Sequence, residues 1–235
     1  MSKQLKYKLL GLAGISRVGK DTMCEHIINV CNKHGIKAKR FAIADEIKRQ
    51  LHLFIKTQFG VDIYNCTDAE KTMVRPIMVD WGLIKREKSQ GQYLTNLLQA
   101  DIDEAFRPHD WPMLNGRGHI HSGGNIPKEV IDLAIVTDIR YSQYPEDEVY
   151  WVQEKNDGAL VHIKKKVGED EIGEPVFTLP PNEQEMLNDP ILQECADYHV
   201  EWDMMEGQGV DRVIHDLPKY YDAVAEELLK RLEII

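Results

Sequence analysis

The chain has 235 residues, 43% of them apolar and 29% charged, a balance that fits a globular protein with one good-sized core. Its formal net charge of −10 argues against nonspecific binding to DNA or anionic lipid, so a phosphate-bearing ligand has to be drawn in by a local basic site. No apolar run approaches the roughly 20 residues that span a bilayer. Cys24, Cys31, Cys66 and Cys195 form no C-x-x-C pair and read as free thiols of a reducing cytoplasm.

After the polar start Met1 to Lys8, the run 9–13 (Leu-Leu-Gly-Leu-Ala) is almost wholly apolar and broken by glycine, which predicts a doubly buried parallel strand and not a secretory signal. Residues 20–33 take a helical period through Met23, Ile27 and Val30, ended at Gly35. A second strand is expected at 38–44, with Asp45 capping a helix to about residue 58. Residues 68–104 read as helical with breaks near Pro76, Gly82 and Gly91. Residues 107–128, rich in Gly, Pro and His, read as a long irregular connection. Strands are expected at 133–137 and 159–163, with a helix at 146–156 between them. The charged stretch 164–190 reads as a flap or lid, followed by a strand at 211–214 and an amphipathic helix from Pro218 to Leu232. Alternating strands and helices predict an α/β fold with a parallel sheet of about five strands flanked by helices. We read residues 1–235 as one domain, with a helical insertion near 45–128 and a possible lid at 164–190.

The segment Gly14-Ile15-Ser16-Arg17-Val18-Gly19-Lys20-Asp21-Thr22 follows a strand and opens a helix, the context that a G-x-x-x-x-G-K phosphate loop requires. Its glycines let the backbone curl so that amides point inward, and the helix N-terminus adds a positive dipole end. Lys20 is the expected bridge between β- and γ-phosphates of ATP, with Arg17 as a second cation. Asp21 stands where Ser or Thr is usual, so Asp21 and Thr22 are the candidate Mg²⁺ ligands. Asp138 and Arg140, just past the 133–137 strand, sit where α/β sheets bind ligands. Asp138 is then a candidate for the Mg²⁺ shell and Arg140 for a phosphate clamp, with a structural Asp–Arg pair as the alternative. Asp45, Lys48 and Arg75 are further candidates for the substrate side. His119 and His121, with His109, read as loop histidines in preference to a closed zinc site. Lys164, Lys165 and Lys166 read as a solvated face.

The stretch G-x-x-R-x-G-K-D-T at Gly14 to Thr22 resembles the deoxynucleoside monophosphate kinases of tailed bacteriophages. Phe41 to Lys48, Val74 to Gly82, Tyr93 to Glu104, the D-x-R-[FY] of Asp138 to Tyr141, Gly158 to Ile163, Asp197 to Glu201 and Asp211 to Leu232 are similar to further segments of that family. The resemblance implies transfer of the ATP γ-phosphate to a deoxynucleoside 5′-monophosphate. In that scheme Arg17, Lys20, Asp21 and Thr22 form the donor-phosphate and metal site, Asp138, Arg140 and Arg75 line the acceptor site, and the setting is the host cytoplasm. Pro76, Val79, Leu83 and Leu94 depart from the family pattern at positions expected near the acceptor. Two other readings stay open. The same loop could phosphorylate a hydroxyl of a modified DNA base or a small metabolite, with Asp45 or Asp21 as base. It could also serve a nucleotide-binding ATPase or switch. DNA is the less expected partner, and a homodimer is the default by analogy.

Overall fold

A computed structural model of the chain describes residues 5–107, 130–203 and 217–235. Its described residues form an α/β fold with a mostly parallel central sheet flanked by helices. The strands are β1 (Leu9–Ala13), β2 (Ala38–Phe41), β3 (Leu133–Ile139), β4 (Ala159–Glu169), β5 (Pro175–Phe177) and β6 (Tyr198–Asp203). Across the sheet the parallel order is β2-β3-β1-β4-β6. β5 alone runs antiparallel, pairing with the far end of β4. The helices are α1 (Lys20–Lys33), α2 (Ile43–Phe59), α3 (Asp68–Ser89), α4 (Gln92–Phe106), α5 (Glu148–Tyr150, continued as a π turn over Trp151–Lys155), α6 (Glu183–Cys195) and α7 (Leu217–Arg231).

Alternation along β1 divides the core. Leu10 and Leu12 join Met23, Ile27 and Val30 of α1 and Leu228 and Leu229 of α7 on one face. Leu9 and Ala13 join Leu98 and Ile102 of α4 and Val152 of the π turn on the other. A Cβ at Gly11 would meet Val152 at 2.9 Å, so glycine lets the π turn close on the strand. The central strand therefore has apolar cover on both faces, as its sequence predicts. The chain leaves β1 toward β2 on one side and later reaches β4 on the other. The carboxyl end of β1 is thus a topological switch point, where α/β sheets open a crevice.

Several expectations are corrected. The second strand ends at Phe41 and α2 starts at Ile43, so Asp45 lies in the first turn and is not the cap. Asp138 performs that task from β3, its carboxylate accepting from the Ile43 and Ala44 amides at 2.8 and 2.7 Å. α3 continues through Pro76 and Gly82. Pro76 removes the bond to the Thr72 carbonyl, but both residues are exposed, so water can take that carbonyl. Gly82 is buried where a Cβ would stand 3.0 Å from Ile47, which brings α2 and α3 close. The 146–156 helix is mostly a π turn. The 164–190 stretch holds the end of β4, the short strand β5 and the start of α6, and β6 is a strand the sequence reading did not anticipate. The expected strand at 211–214 and His109, His119 and His121 lie outside the described residues.

Arg86 ties α3 to the segment after β3. Its guanidinium grips Asp147 through two bonds of 2.7 Å and reaches Glu148 at 3.0 Å, all three side chains being almost fully buried. Tyr141 stacks on it, 3.7 Å from the guanidinium carbon to the ring centre. Glu148 in turn accepts from the Arg140 and Tyr141 amides at 2.6 and 3.1 Å. Burial pushes the Glu148 carboxyl up to about 8; Arg86 opposes the rise and Asp147 adds to it. Arg86→Met strands two buried acids, so we expect a stability loss of about 3–5 kcal/mol, measured as a lower urea midpoint at unchanged slope.

Candidate functional site

β1 hands over to α1 through residues 14–19, which curl over the strand end. Gly14 (φ 126°), Arg17 (φ 69°) and Gly19 (φ 90°) all hold positive φ, the conformation that turns successive amides toward one point. Two neighbours press on the curl. A Cβ at Gly14 would collide with the Ile163 carbonyl of β4, and one at Gly19 with the indole of Trp202 in β6. The same indole donates to the Val18 carbonyl at 2.7 Å and is 4% exposed. The loop is thus bolted to the sheet from below. α1 begins without a side-chain cap, so its first amides, which have no intrahelical acceptor, are left for a ligand.

Lys20 lies under this loop. Its ammonium donates to the Gly14 and Ile15 carbonyls at 2.7 Å each. Burial, with the Arg140 charge next, pushes its pKa down to about 8. Above the loop sits a carboxylate from α6. Glu185 accepts from the Ser16 amide at 2.5 Å, the Ser16 hydroxyl at 2.6 Å and the Arg140 guanidinium at 3.0 Å. Burial works to raise this carboxyl, but the two Ser16 donors and then the charges of Arg140 and Lys20 outweigh it and hold it below the ordinary glutamate range.

A cleft of about 920 Å³ opens beside the loop. It gathers Ser16, Arg17, Lys48, Arg75, Asp138 and Arg140 from four separate segments. Apolar side chains of α2, α3 and α4, among them Ile47, Met78, Leu83 and Leu94, form another part of its wall. Of the remaining candidates, Asp21 accepts from Arg40 at 2.9 Å and Asp45 from the same guanidinium at 3.0 Å. Lys48 also donates to Asp45, at 2.7 Å. Thr22 is half-buried in the first turn of α1, and neither it, Asp21 nor Asp45 lines the cleft. Both Asp138 oxygens are engaged by the α2 amides, and burial raises its carboxyl against their pull. Among the described residues no group of three or more His, Cys, Asp or Glu could hold a metal ion. Also among them, no helix is long and apolar enough to cross a membrane.

Sequence reasoning missed Glu185, Arg40, Arg86 and Trp202. For Glu185 a signal was present: Asn182-Glu183-Gln184-Glu185 after two prolines is an N-x-x-E capping pattern. Asn182 does cap α6, accepting from the Glu185 amide at 2.9 Å, but the Glu185 side chain also reaches out to the loop instead of serving the cap alone. Nothing local marks Trp202, whose task depends on β6 pairing beside β4.

No family model matches the chain, and no curated protein matches it. Among solved structures it is similar to a shikimate kinase from Acinetobacter baumannii in complex with shikimate, at 12% identity and a TM-score of 0.34, over 96% of this chain and 93% of that one. A likeness that remote carries no residue role across.

The lowered Lys20 pKa sets a pH dependence. From pH 8 to the ordinary lysine value of 10.5 the unfolded chain binds more protons, so the folding cost of the buried charge fades as pH rises through that window. A polyphosphate needs the charged form. Its affinity should therefore fall above pH 8, by up to about tenfold per unit. Calorimetry of inorganic tripolyphosphate at pH 8.5 in buffers of different ionisation enthalpy should show more proton uptake by the wild type than by Lys20→Arg, with the two proteins alike at pH 6.5, where only the ligand's own phosphates exchange protons.

Proposed function

We infer that the chain is an ATP-dependent phosphotransferase with a small phosphorylated acceptor. A deoxynucleoside 5′-monophosphate is the acceptor that the sequence resemblance favours. One observation carries this reading: the Ser16 amide, the Ser16 hydroxyl and Arg140 converge on a single carboxylate at the mouth of the curled loop, beside a cleft holding Arg17, Lys48 and Arg75. Three donors around one anion, in a protein of net charge −10, are a local seat for phosphate.

Phosphoryl transfer needs positioning and charge neutralisation more than a strong base. Lys20 sits within the loop's own carbonyl ring and can turn to the β- and γ-phosphates when they arrive. Arg17 and Arg140 flank the transferred group. Arg75 and Lys48 hold the acceptor phosphate, and the apolar wall of Ile47, Met78, Val79, Leu83 and Leu94 with the Tyr141 ring suits a planar base. The side-chain oxygens at the start of α1, the Asp21 carboxylate and the Thr22 hydroxyl, would hold Mg²⁺ brought in on the nucleotide, because this ion keeps most of its shell as phosphate oxygen and water. When bound, it would neutralise triphosphate charge. The hydroxyl-acceptor reading is less well supported. Asp21 and Asp45 are both engaged by Arg40, and Asp138 by amides, so no described carboxylate among these three is poised as a base.

Incubation with radiolabelled ATP and Mg²⁺ against nucleoside monophosphates, nucleosides and DNA should label a nucleoside diphosphate. Labelled nucleoside or DNA, or free phosphate alone, would overturn the reading. Lys20→Ala should cut transfer by at least about 100-fold with the circular dichroism spectrum kept. Arg75→Ala should raise the acceptor KM about tenfold with a smaller effect on kcat.

A further inference from the structure

The carboxylate in the loop's mouth belongs to the protein itself. Glu185 is on the first turn of α6, and besides a longer contact of 3.4 Å from the Asn182 side chain its carboxylate takes three donors of the kind that bind phosphate: a loop amide, a loop hydroxyl and a guanidinium. A ligand phosphate that used the Ser16 amide and Arg140 could not share them with this group. Two like charges within hydrogen-bond distance of the same donors repel, so one has to leave.

The rest of α6 is built for such a departure. Its second half is anchored: Leu192 and Asn188 are buried, Asp189 bonds the buried His162 of β4 at 2.9 Å, and the Cys195 carbonyl accepts from Gln153 at 2.9 Å. Its first half is exposed at Glu183, Gln184, Met186 and Leu187. That half reaches the body of the protein through Glu185 and through a longer bond between Gln184 and the Tyr141 hydroxyl, 3.3 Å. Pro190 lies in the anchored half and cannot donate to the Met186 carbonyl, which removes a rung where the two halves meet. α6 also contains no lysine or arginine, so its first turn brings only negative charge to the site.

We propose that Glu185 is a built-in competitor for the phosphate seat, and that a polyphosphate binds by expelling it and swinging the start of α6, residues 183–187, outward at the Met186 carbonyl, where the rung is missing. The inference rests on the loop being a phosphate site and not on which acceptor it serves. Affinity for any anion is then reduced by the fraction of protein in which the seat is open. A small free anion that makes no other contacts competes poorly, whereas a nucleotide held also by the loop amides and Lys20 displaces the carboxylate. The device is a filter against inorganic phosphate and sulfate as much as a latch.

The test uses the full chain and inorganic tripolyphosphate. By calorimetry, Glu185→Ala and Glu185→Gln should each bind it about tenfold more tightly than the wild type, Ala more than Gln. In the wild type, saturating tripolyphosphate should speed hydrogen exchange of amides 183–187 and leave 191–195 unchanged. Equal or weaker binding by both variants overturns the proposal, as does α6 exchange that stays constant or slows on binding. If the variants fail to fold, the wild-type exchange result decides alone. Should tripolyphosphate bind none of these proteins, the proposal falls together with the phosphate loop. A negative product assay alongside tighter binding by the variants would remove the kinase reading and leave Glu185 as the competitor.

Discussion

Lys20 carries its charge beneath a loop whose own carbonyls, those of Gly14 and Ile15, are the acceptors for its ammonium. A buried cation of this kind is costly unless anions approach it, and much of the surrounding structure answers that need. Arg140 adds a second positive charge nearby, which lowers the Lys20 pKa further, and Glu185 supplies a compensating negative one. The site is therefore a positive hole in an acidic protein. The hole lies where β1 stops, at a switch point of the sheet, and the turn that follows curls.

The walls around this hole are held by charge networks at two depths. The buried one joins Arg86, Asp147 and Glu148, and through the Arg140 and Tyr141 amides it fixes the backbone that aims Arg140 at the loop. The shallower one runs Asp21–Arg40–Asp45–Lys48, from the start of α1 to the cleft wall. In the first, removing one partner strands charge in a poor solvent. In the second, water screens each pair and the contacts are orienting more than stabilising.

Residues with short-range grammar were readable. The strand at 9–13, the helix at 20–33 and the loop between them follow from apolar runs, periodicity and glycine spacing, and the structure keeps those boundaries. The end of β2 was misplaced because Phe41 to Ala44 continue an apolar pattern, whereas Asp138, almost a hundred residues on, supplies the cap that starts α2 early. α3 was read as broken because Pro76 and Gly82 are breakers in isolation; solvent at one and a close helix contact at the other remove the penalty. Within the site, Ser16, Arg17, Arg75 and Arg140 were found from their motifs and do share one cleft. Glu185 and Trp202 were not, since each acts on the loop from roughly 170 residues or more away in the chain, a distance over which no local pattern speaks.

The packing of the Trp202 indole against Gly19 also constrains how the sequence can drift. Any side chain at 19 would need the ring space that Trp202 fills, and any smaller residue at 202 would leave the Val18 carbonyl without its donor and the loop without its floor. Neither position can vary alone without penalty. A change at one would have to be answered at the other, although 183 positions separate them in the chain.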